Sequence, residues 1–250
     1  MSFAACAGLV ERGDPDRFAA VMAAPVALRG RLFVLYAFNL EVARAPWVTK
    51  EPMIAEMRLQ WWRDVVAEPR ARAHEVAGPL HGLIAEAELP VEVFDRLVAA
   101  RRWDIYADGF EDAAHFDRYL DETAGALMWL AAKACGAPLR AEPYARAYGW
   151  GLGLANFLRA VPELEARGKL PLVDGRPAAI AALAQTGLEK IRFAKALRRD
   201  LGPAMLAGWQ AEPLLAQVAA DPRLVADGAM GLSEFARRGR LTWAALTGRW

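Results

Sequence analysis

Residues 32–46 read LFVLYAFNLEVARAP, a stretch in which large apolar side chains recur at the spacing of an α-helix. The pattern begins at Val26. Leu32 follows Leu28 by four residues, and Leu35 and Tyr36 follow Leu32 by three and four, which is helical spacing. Pro46 cannot continue a helix, because it has no N–H group and its ring collides with the preceding turn. This stretch therefore predicts one long helix over residues 26–45.

The rest of the chain has a similar composition and is divided by proline and glycine at intervals typical of helices. Ala, Leu, Arg and Glu dominate, and β-branched residues show no sustained strand-like alternation. Asp14 before Pro15 predicts an N-cap with proline at the first helical position. We predict an all-α fold, a single domain over residues 1–250 with at least eight helices and no sheet. The expected helices cover 15–24, 26–45, a segment starting near Pro52, 78–88, 90–106, 113–136, 141–161, 177–200, 202–219 and 229–248.

Charge and composition exclude several classes of protein. Thirty-one basic and thirty acidic residues give a net charge of +1, so nothing attracts the chain to nucleic acid. No apolar run reaches the ~18 residues of a membrane span, and the apolar stretch 3–10 lacks the basic start of a secretory signal. Cys6 and Cys135 are far apart, which is typical of a reducing cytosol, and the three histidines are too scattered for a metal site. We expect a cytoplasmic protein.

Five segments resemble, in the same order, the squalene/phytoene synthase family, whose members condense two prenyl diphosphates head to head. They are DPDRF (14–18), LFVLYAFNLEVARAP (32–46), EMRLQWWRD (56–64), YLDETAG (119–125) and GLANFLRAVPELEARGKLPL (153–172). The resemblance implies a helical bundle with one central cavity between the helices at 26–45 and 141–161. Fold alone does not imply activity, which depends on the residues of the site.

In that family, the two helices that face each other across the cavity carry aspartates that bind magnesium ions. The ions neutralise the charge of the diphosphate leaving group, so that an allylic cation can form. Carboxylates three or four residues apart suit this role, because their side chains project from the same helix face.

The first aspartate-rich motif has lost its acidic residues. After Tyr-Ala-Phe, the family pattern reads Cys-Arg-x-x-Asp-Asp-x-x-Asp, and here the three aspartate positions hold Ala43, Arg44 and Trp47. An arginine at such a position repels a metal ion at close range. Tyr36 and Asn39, which come before these positions, are further candidates to line the cavity.

The second motif has changed in the same way. The family pattern Asn-x-x-Arg-Asp-x-x-x-Asp corresponds to residues 156–164, which read NFLRAVPEL. Asn156 and Arg159 match the pattern, whereas Ala160 and Leu164 replace the two aspartates. Glu163 is the carboxylate that remains within this segment.

All five metal-ligand positions are thus lost, on both sides of the cavity. Glu41, Glu163 and Glu165 lie nearby, but Glu41 is about 200° around its helix from the first aspartate position. We predict no catalytic residue, no metal ligand and no cofactor, with Mg²⁺ required only if the motifs have moved elsewhere. Arg44 and Arg159 predict a neutral or basic cavity that would hold an anionic head without metal.

Three further features have both a functional and a structural interpretation. Trp61 and Trp62 could line a cavity, but core packing is expected, on a helix whose inner face would carry Met53, Met57, Trp61 and Val65.

Asp104 and Asp108 have the spacing of a metal-binding pair, yet the neighbouring arginines favour surface ion pairs. The C-terminal segment EFARRGRLTWAALTGRW (234–250) suits either a membrane surface or a terminal helix docked on the bundle with solvated arginines.

A subgroup that resembles this chain includes the mitochondrial assembly factor of respiratory complex I, in which the aspartate motifs are also degenerate. This resemblance implies a non-catalytic protein from a bacterium, peripheral on the inner face of the membrane. It would bind a prenyl or quinone-like lipid, or assist the assembly of a respiratory complex through one of its subunits. Two alternatives stay open: an active prenyltransferase that makes squalene or phytoene, and a helical lipid carrier. Magnesium-dependent release of diphosphate would identify the first alternative.

Overall fold

The computed structural model describes residues 3–49, 51–68 and 72–248. In these ranges the chain forms fourteen α-helices and no strand, which confirms the expected all-α fold with at least eight helices. The helices are α1 (Ala4–Gly13), α2 (Pro15–Ala23), α3 (Val26–Arg44), α4 (Pro52–Ala67), α5 (Ala77–Glu86), α6 (Val91–Ala100), α7 (Ala113–Leu120), α8 (Ala126–Ala134), α9 (Glu142–Ala166), α10 (Pro177–Ala194), α11 (Arg198–Leu201), α12 (Ala211–Ala220), α13 (Arg223–Ala226) and α14 (Glu234–Thr247).

Several boundaries differ from those expected. Helix α1 was not predicted, and the helix expected over 90–106 ends at Ala100 and continues as a 3-10 turn, Arg101–Asp104. Helices α7 and α8 are joined without a break by a π-helical turn, Asp121–Gly125. The last helix begins at Glu234, five residues later than expected. None of the described helices is both long and apolar enough to cross a membrane.

Side-chain caps define three of the helix starts, those of α2, α7 and α14. Asp14 accepts a hydrogen bond from the backbone N–H of Arg17 at 2.9 Å, as the sequence predicts, and Pro15 is the first residue of α2. The Ser233 hydroxyl accepts one from the N–H of Ala236 at 3.3 Å and so caps α14. These bonds satisfy N–H groups that have no partner within their own helix.

Helices α3 and α9 form the centre of the bundle. Every residue from Leu32 to Leu40 is buried, so α3 is enclosed on all sides rather than amphipathic. Helix α9 is 25 residues long, about 37 Å at the usual rise. It contains Pro162 and continues past it to Ala166. The two helices that carry the family's metal-binding positions are therefore the most central ones.

The inner face of α4 differs from the predicted one. Met53 and Met57 are 75% and 67% exposed, whereas Leu59 and Trp62 are buried. Val65 is buried as expected, and Trp61 packs at the edge of the core. The buried face is rotated by about one residue, because the core contacts of α4 lie along the side that faces α6.

Two glycines of α9 permit a close approach of the π-helical turn. A Cβ atom on Gly149 would lie 2.4 Å from the carbonyl oxygen of Ala124, and one on Gly153 would lie 2.5 Å from the Cβ of Ala124. Both distances are shorter than non-bonded atoms permit, so a larger residue would force the two segments apart. Glycine thereby brings Tyr119 and Thr123 close to α9.

Candidate ligand-binding cavity

A cavity of about 260 Å³ lies between α3, α9 and the π-helical turn, which confirms the central cavity expected there. Its wall combines apolar side chains with a small number of polar ones. The lining residues are Arg17, Asn39, Ala43, Trp47, Arg101, Asp104, Tyr119, Leu120, Thr123, Ala124, Leu127, Gly153, Asn156, Phe157, Ala160 and Leu164.

Four of the five lost aspartate positions line this cavity, at Ala43, Trp47, Ala160 and Leu164. The fifth, Arg44, is exposed and points away from the cavity. Its guanidinium lies beside Gly13, so that a Cβ atom added to Gly13 would be only 2.6 Å from Arg44 Nη2. Adjacent helix positions project about 100° apart, so Arg44 cannot share the direction of Ala43. The prediction that Arg44 makes the cavity basic is therefore wrong.

A cluster of charged and aromatic side chains lies at the outer end of the cavity. The Arg167 guanidinium carbon is 4.8 Å from the centroid of the Trp47 ring, and the Lys169 Nζ is 5.6 Å from it. Arg167 also pairs with Glu163 at 2.6 Å. Trp47, Glu163 and Arg167 line a second hollow of about 230 Å³. Glu163 is thus engaged here and is not among the residues that line the central cavity.

The wall nearest α7 carries a buried polar cluster that the sequence did not predict. Asp104 is 5% exposed and accepts a hydrogen bond from the Tyr119 hydroxyl at 2.9 Å and one from Arg101 Nη1 at 3.2 Å. The expectation of a surface ion pair is wrong for Asp104. Asp108 is exposed, because the helix ends in a 3-10 turn at Asp104 and no longer holds the two carboxylates on one face.

Burial determines the ionisation of this cluster. It raises the pKa of the Tyr119 hydroxyl, and the Asp104 carboxylate raises it further, while Arg101 opposes the shift. The hydroxyl therefore stays protonated and donates to Asp104. Because one carboxylate faces one guanidinium, the cluster contributes no net charge to the wall.

Asn39 is a buried polar side chain with an open hydrogen-bonding position. It is 6% exposed, it lines the cavity, and its Oδ1 atom has no hydrogen-bond partner among the described residues. The Thr123 hydroxyl nearby already donates to the carbonyl of Tyr119 at 2.6 Å. An unpaired buried acceptor costs about 1–3 kcal/mol. A ligand that donates a hydrogen bond to Asn39 would recover part of this free energy.

Arg17 of α2 is a second lining residue that the sequence did not assign to the site. Its guanidinium carbon lies 4.9 Å from the centroid of the Tyr36 ring, and it pairs with Asp14 at 3.3 Å. Tyr36, a predicted lining residue, lies behind Arg17 and is not part of the wall, and burial raises the pKa of its hydroxyl. The DPDRF segment was the available signal, since the cap at Asp14 places Arg17 in the first turn of α2.

A wider hollow of about 630 Å³ adjoins the cavity and shares Arg17 and Asn156 with it. Arg159 belongs to this outer hollow, with its Nη1 4.0 Å from Asp16, and Arg237 of α14 pairs with the same carboxylate. The two residues that match the family pattern are therefore separated. Asn156 lies where the two spaces meet, and Arg159 lies outside.

The residues of the cavity do not fit the magnesium–diphosphate chemistry of the family. Asp104 is the one carboxylate among its lining residues, and Tyr119 and Arg101 already bond to it. Across residues 3–49, 51–68 and 72–248, no group of three or more histidine, cysteine or carboxylate side chains is arranged to hold a metal ion. Sequence reasoning thus located the lining positions of α3 and α9 but missed Arg17, Arg101 and the burial of Asp104.

Solved structures of similar shape include a squalene synthase and a dehydrosqualene synthase. Squalene synthase HpnC from Alicyclobacillus acidocaldarius is 17% identical, with a TM-score of 0.75 over 92% of this chain and 95% of that chain. A dehydrosqualene synthase in complex with ligand is 14% identical, with a TM-score of 0.70 over 98% and 96%. At these identities the likeness shows the fold alone.

The curated relatives are named as assembly factors of a respiratory complex and not as synthases. The NADH dehydrogenase (ubiquinone) complex I, assembly factor 6 homolog of Drosophila melanogaster is 30% identical over 208 residues, which cover 79% of this chain and 60% of that protein. The human assembly factor 6 is 24% identical over 169 residues, covering 66% and 51%. The chain thus spans between half and three fifths of the length of these relatives. The sequence model of the squalene/phytoene synthase family matches residues 10–174, and the chain belongs to that family.

Proposed function

We propose that this protein is a non-catalytic member of the family that assists the assembly of a respiratory complex at a membrane surface. We further propose that it uses the central cavity to bind a lipid with an uncharged head. The observation that carries the proposal is that the cavity persists although its metal-binding positions hold Ala43, Trp47, Ala160 and Leu164.

The charges of the wall support the loss of catalysis. Arg17 pairs with Asp14 and Arg101 pairs with Asp104, so each guanidinium that lines the cavity already has a carboxylate partner. A diphosphate without metal would have to break these ion pairs and leave a buried charge uncompensated, which is costly. An uncharged hydroxyl or carbonyl head would leave them intact, and a hydroxyl would donate to Asn39.

The size of the cavity also supports the loss of catalysis. Its volume of about 260 Å³ lies below the ~300–1,000 Å³ of most small-molecule sites. Condensation requires two prenyl chains side by side, whereas this space suits one. Leu127, Phe157 and Leu164 offer an apolar wall for such a chain.

The partner is inferred from the curated relatives. They are named as assembly factors of complex I and match up to 79% of this chain. Because the chain spans only 60% and 51% of these two relatives, the role in complex assembly is a proposal for this chain.

Filling the cavity tests the proposal. Ala160→Phe places a ring in the central cavity, and Ala166→Phe places the same ring on the exposed end of the same helix as a matched control. In a strain that lacks the gene, we expect the unmodified protein and Ala166→Phe to restore assembled NADH dehydrogenase on native gels. Ala160→Phe should restore less and should lose the lipid extracted from the purified protein.

Two results would contradict the proposal. One is Mg²⁺-dependent formation of squalene or phytoene from prenyl diphosphates above a no-enzyme control. The other is an unchanged level of assembled complex in the strain that lacks the gene.

A further inference from the structure

Helix α14 presents three of its four large apolar side chains to solvent, whereas Leu241 packs against the core. Phe235, Trp243 and Leu246 are 88%, 62% and 80% exposed. On the other side of the helix, Ala244 is buried, Leu241 packs against the core and Arg237 pairs with Asp16 of α2. A terminal helix that only completed the core would be expected to bury its aromatic residues.

The exposed apolar side chains form one stripe along the helix. At 100° per residue, Phe235, Leu246 and the exposed threonine Thr242 lie within about 20° of a single line, with Trp243 at its edge. We call the surface of these four residues the α14 stripe. It contains no acidic residue.

Arginines lie on both sides of the α14 stripe. Arg238 lies on one side and bonds to Glu234 at 2.8 Å, and its side chain is still 80% exposed. Arg240 lies on the other side and makes no ion pair within the part of the chain that the structure describes. Three arginines against one glutamate give the described helix a net charge of +2.

We infer that the α14 stripe docks onto the surface of a bilayer that contains anionic phospholipid. An apolar stripe with basic flanks is the arrangement of helices that lie in the membrane interface, with the aromatic and aliphatic side chains among the acyl chains and the arginines at the headgroups. This inference rests on the part of the proposed function that places the protein at a membrane.

A second copy of the chain is a less suitable occupant. In a two-fold contact through the α14 stripe, each copy would bring the same two flanking arginines to the interface. Like charges would then face each other around an apolar centre, whereas phosphate headgroups would neutralise them.

Vesicle co-sedimentation of the purified full chain tests the inference. We expect binding to vesicles of phosphatidylcholine with phosphatidylglycerol and much weaker binding to phosphatidylcholine alone. The variant F235S/L246S should bind the anionic vesicles at least tenfold more weakly, and R238Q/R240Q about fivefold more weakly for each arginine. The matched control is V26S/L139S, which removes side chains that are 76% and 72% exposed elsewhere and should bind like the unmodified protein.

The vesicle assay has separate outcomes that would contradict the inference. No binding of the unmodified protein to anionic vesicles would overturn the inference, as would equal losses for F235S/L246S and V26S/L139S. Dissociation of a dimer by F235S/L246S in sedimentation analysis, without vesicle binding by the unmodified protein, would assign the stripe to self-association instead. Because no respiratory complex is present in this assay, its failure would leave the assembly test of the proposed function unaffected.

Discussion

Replacing Asp104 with asparagine tests whether charge compensation holds the wall of the cavity together. The Asp104 carboxylate is 5% exposed and lies 3.2 Å from Arg101, whose side chain is 19% exposed. Asparagine keeps the shape but removes the charge, so the guanidinium is left uncompensated in the interior, at a cost of about 3–5 kcal/mol in the free energy of unfolding. For a chain of this length, that change corresponds to a fall in Tm of about 6–20 °C.

Thermal unfolding followed by circular dichroism measures this change, and three variants control it. Asp108→Asn alters an exposed carboxylate four residues along the chain and should change the stability by less than ~0.5 kcal/mol. Tyr119→Phe removes one hydrogen bond to Asp104 and should cost about 1–3 kcal/mol. The double variant R101M/D104L removes both charges and should be more stable than Asp104→Asn. Equal Tm values for Asp104→Asn and Asp108→Asn would falsify the reasoning.

Four other outcomes are expected. Gly149→Ala should lower the free energy of unfolding by about 1–3 kcal/mol in urea titrations, because the added Cβ would lie 2.4 Å from a backbone oxygen. Gly239→Ala is the control: its Cβ would have no atom within 4 Å, and it should stabilise α14 by up to ~1 kcal/mol. Burial raises the pKa of Cys6 to about 11 and that of Cys135 to about 12, so iodoacetamide should label both thiols far more slowly at pH 8 than in denatured protein. Since these folded-state pKa values lie above the ordinary 9.0, the thiols' contribution to stability should be complete below about pH 9 and be lost as the pH rises toward 11 and 12, which pH-dependent urea titrations would detect. Farnesol should raise the Tm more than farnesyl diphosphate does, equally in EDTA and in Mg²⁺, and Arg44→Ala should leave this shift unchanged; a shift that vanished in EDTA would reveal a metal site.

The sequence by itself determined the helical architecture and the loss of the metal ligands. The start of α2 at Asp14 and the end of α3 before Pro46 depend on interactions within a few residues. The local sequence is therefore sufficient to predict them. The identity of Ala43, Ala160 and Leu164 is likewise sufficient to remove a carboxylate, whatever surrounds it. These conclusions required only the order of the residues and the resemblance of the motifs.

Only the tertiary structure decided which polar side chains meet in the cavity. Arg17 reaches it from α2, and Asp104 is enclosed because Tyr119, fifteen residues later, folds over it. Arg44 and Asp108 carry the same charges as Arg17 and Asp104, but both point to solvent. The direction of a side chain depends on how its helix packs and on where the helix ends, and contacts between distant segments decide both. The same holds for α14, whose amphipathic pattern is compatible with either orientation. Contacts with α2 and the 3-10 turn at 202–208 hold its alanine side against the bundle, and this leaves Phe235 and Leu246 outside.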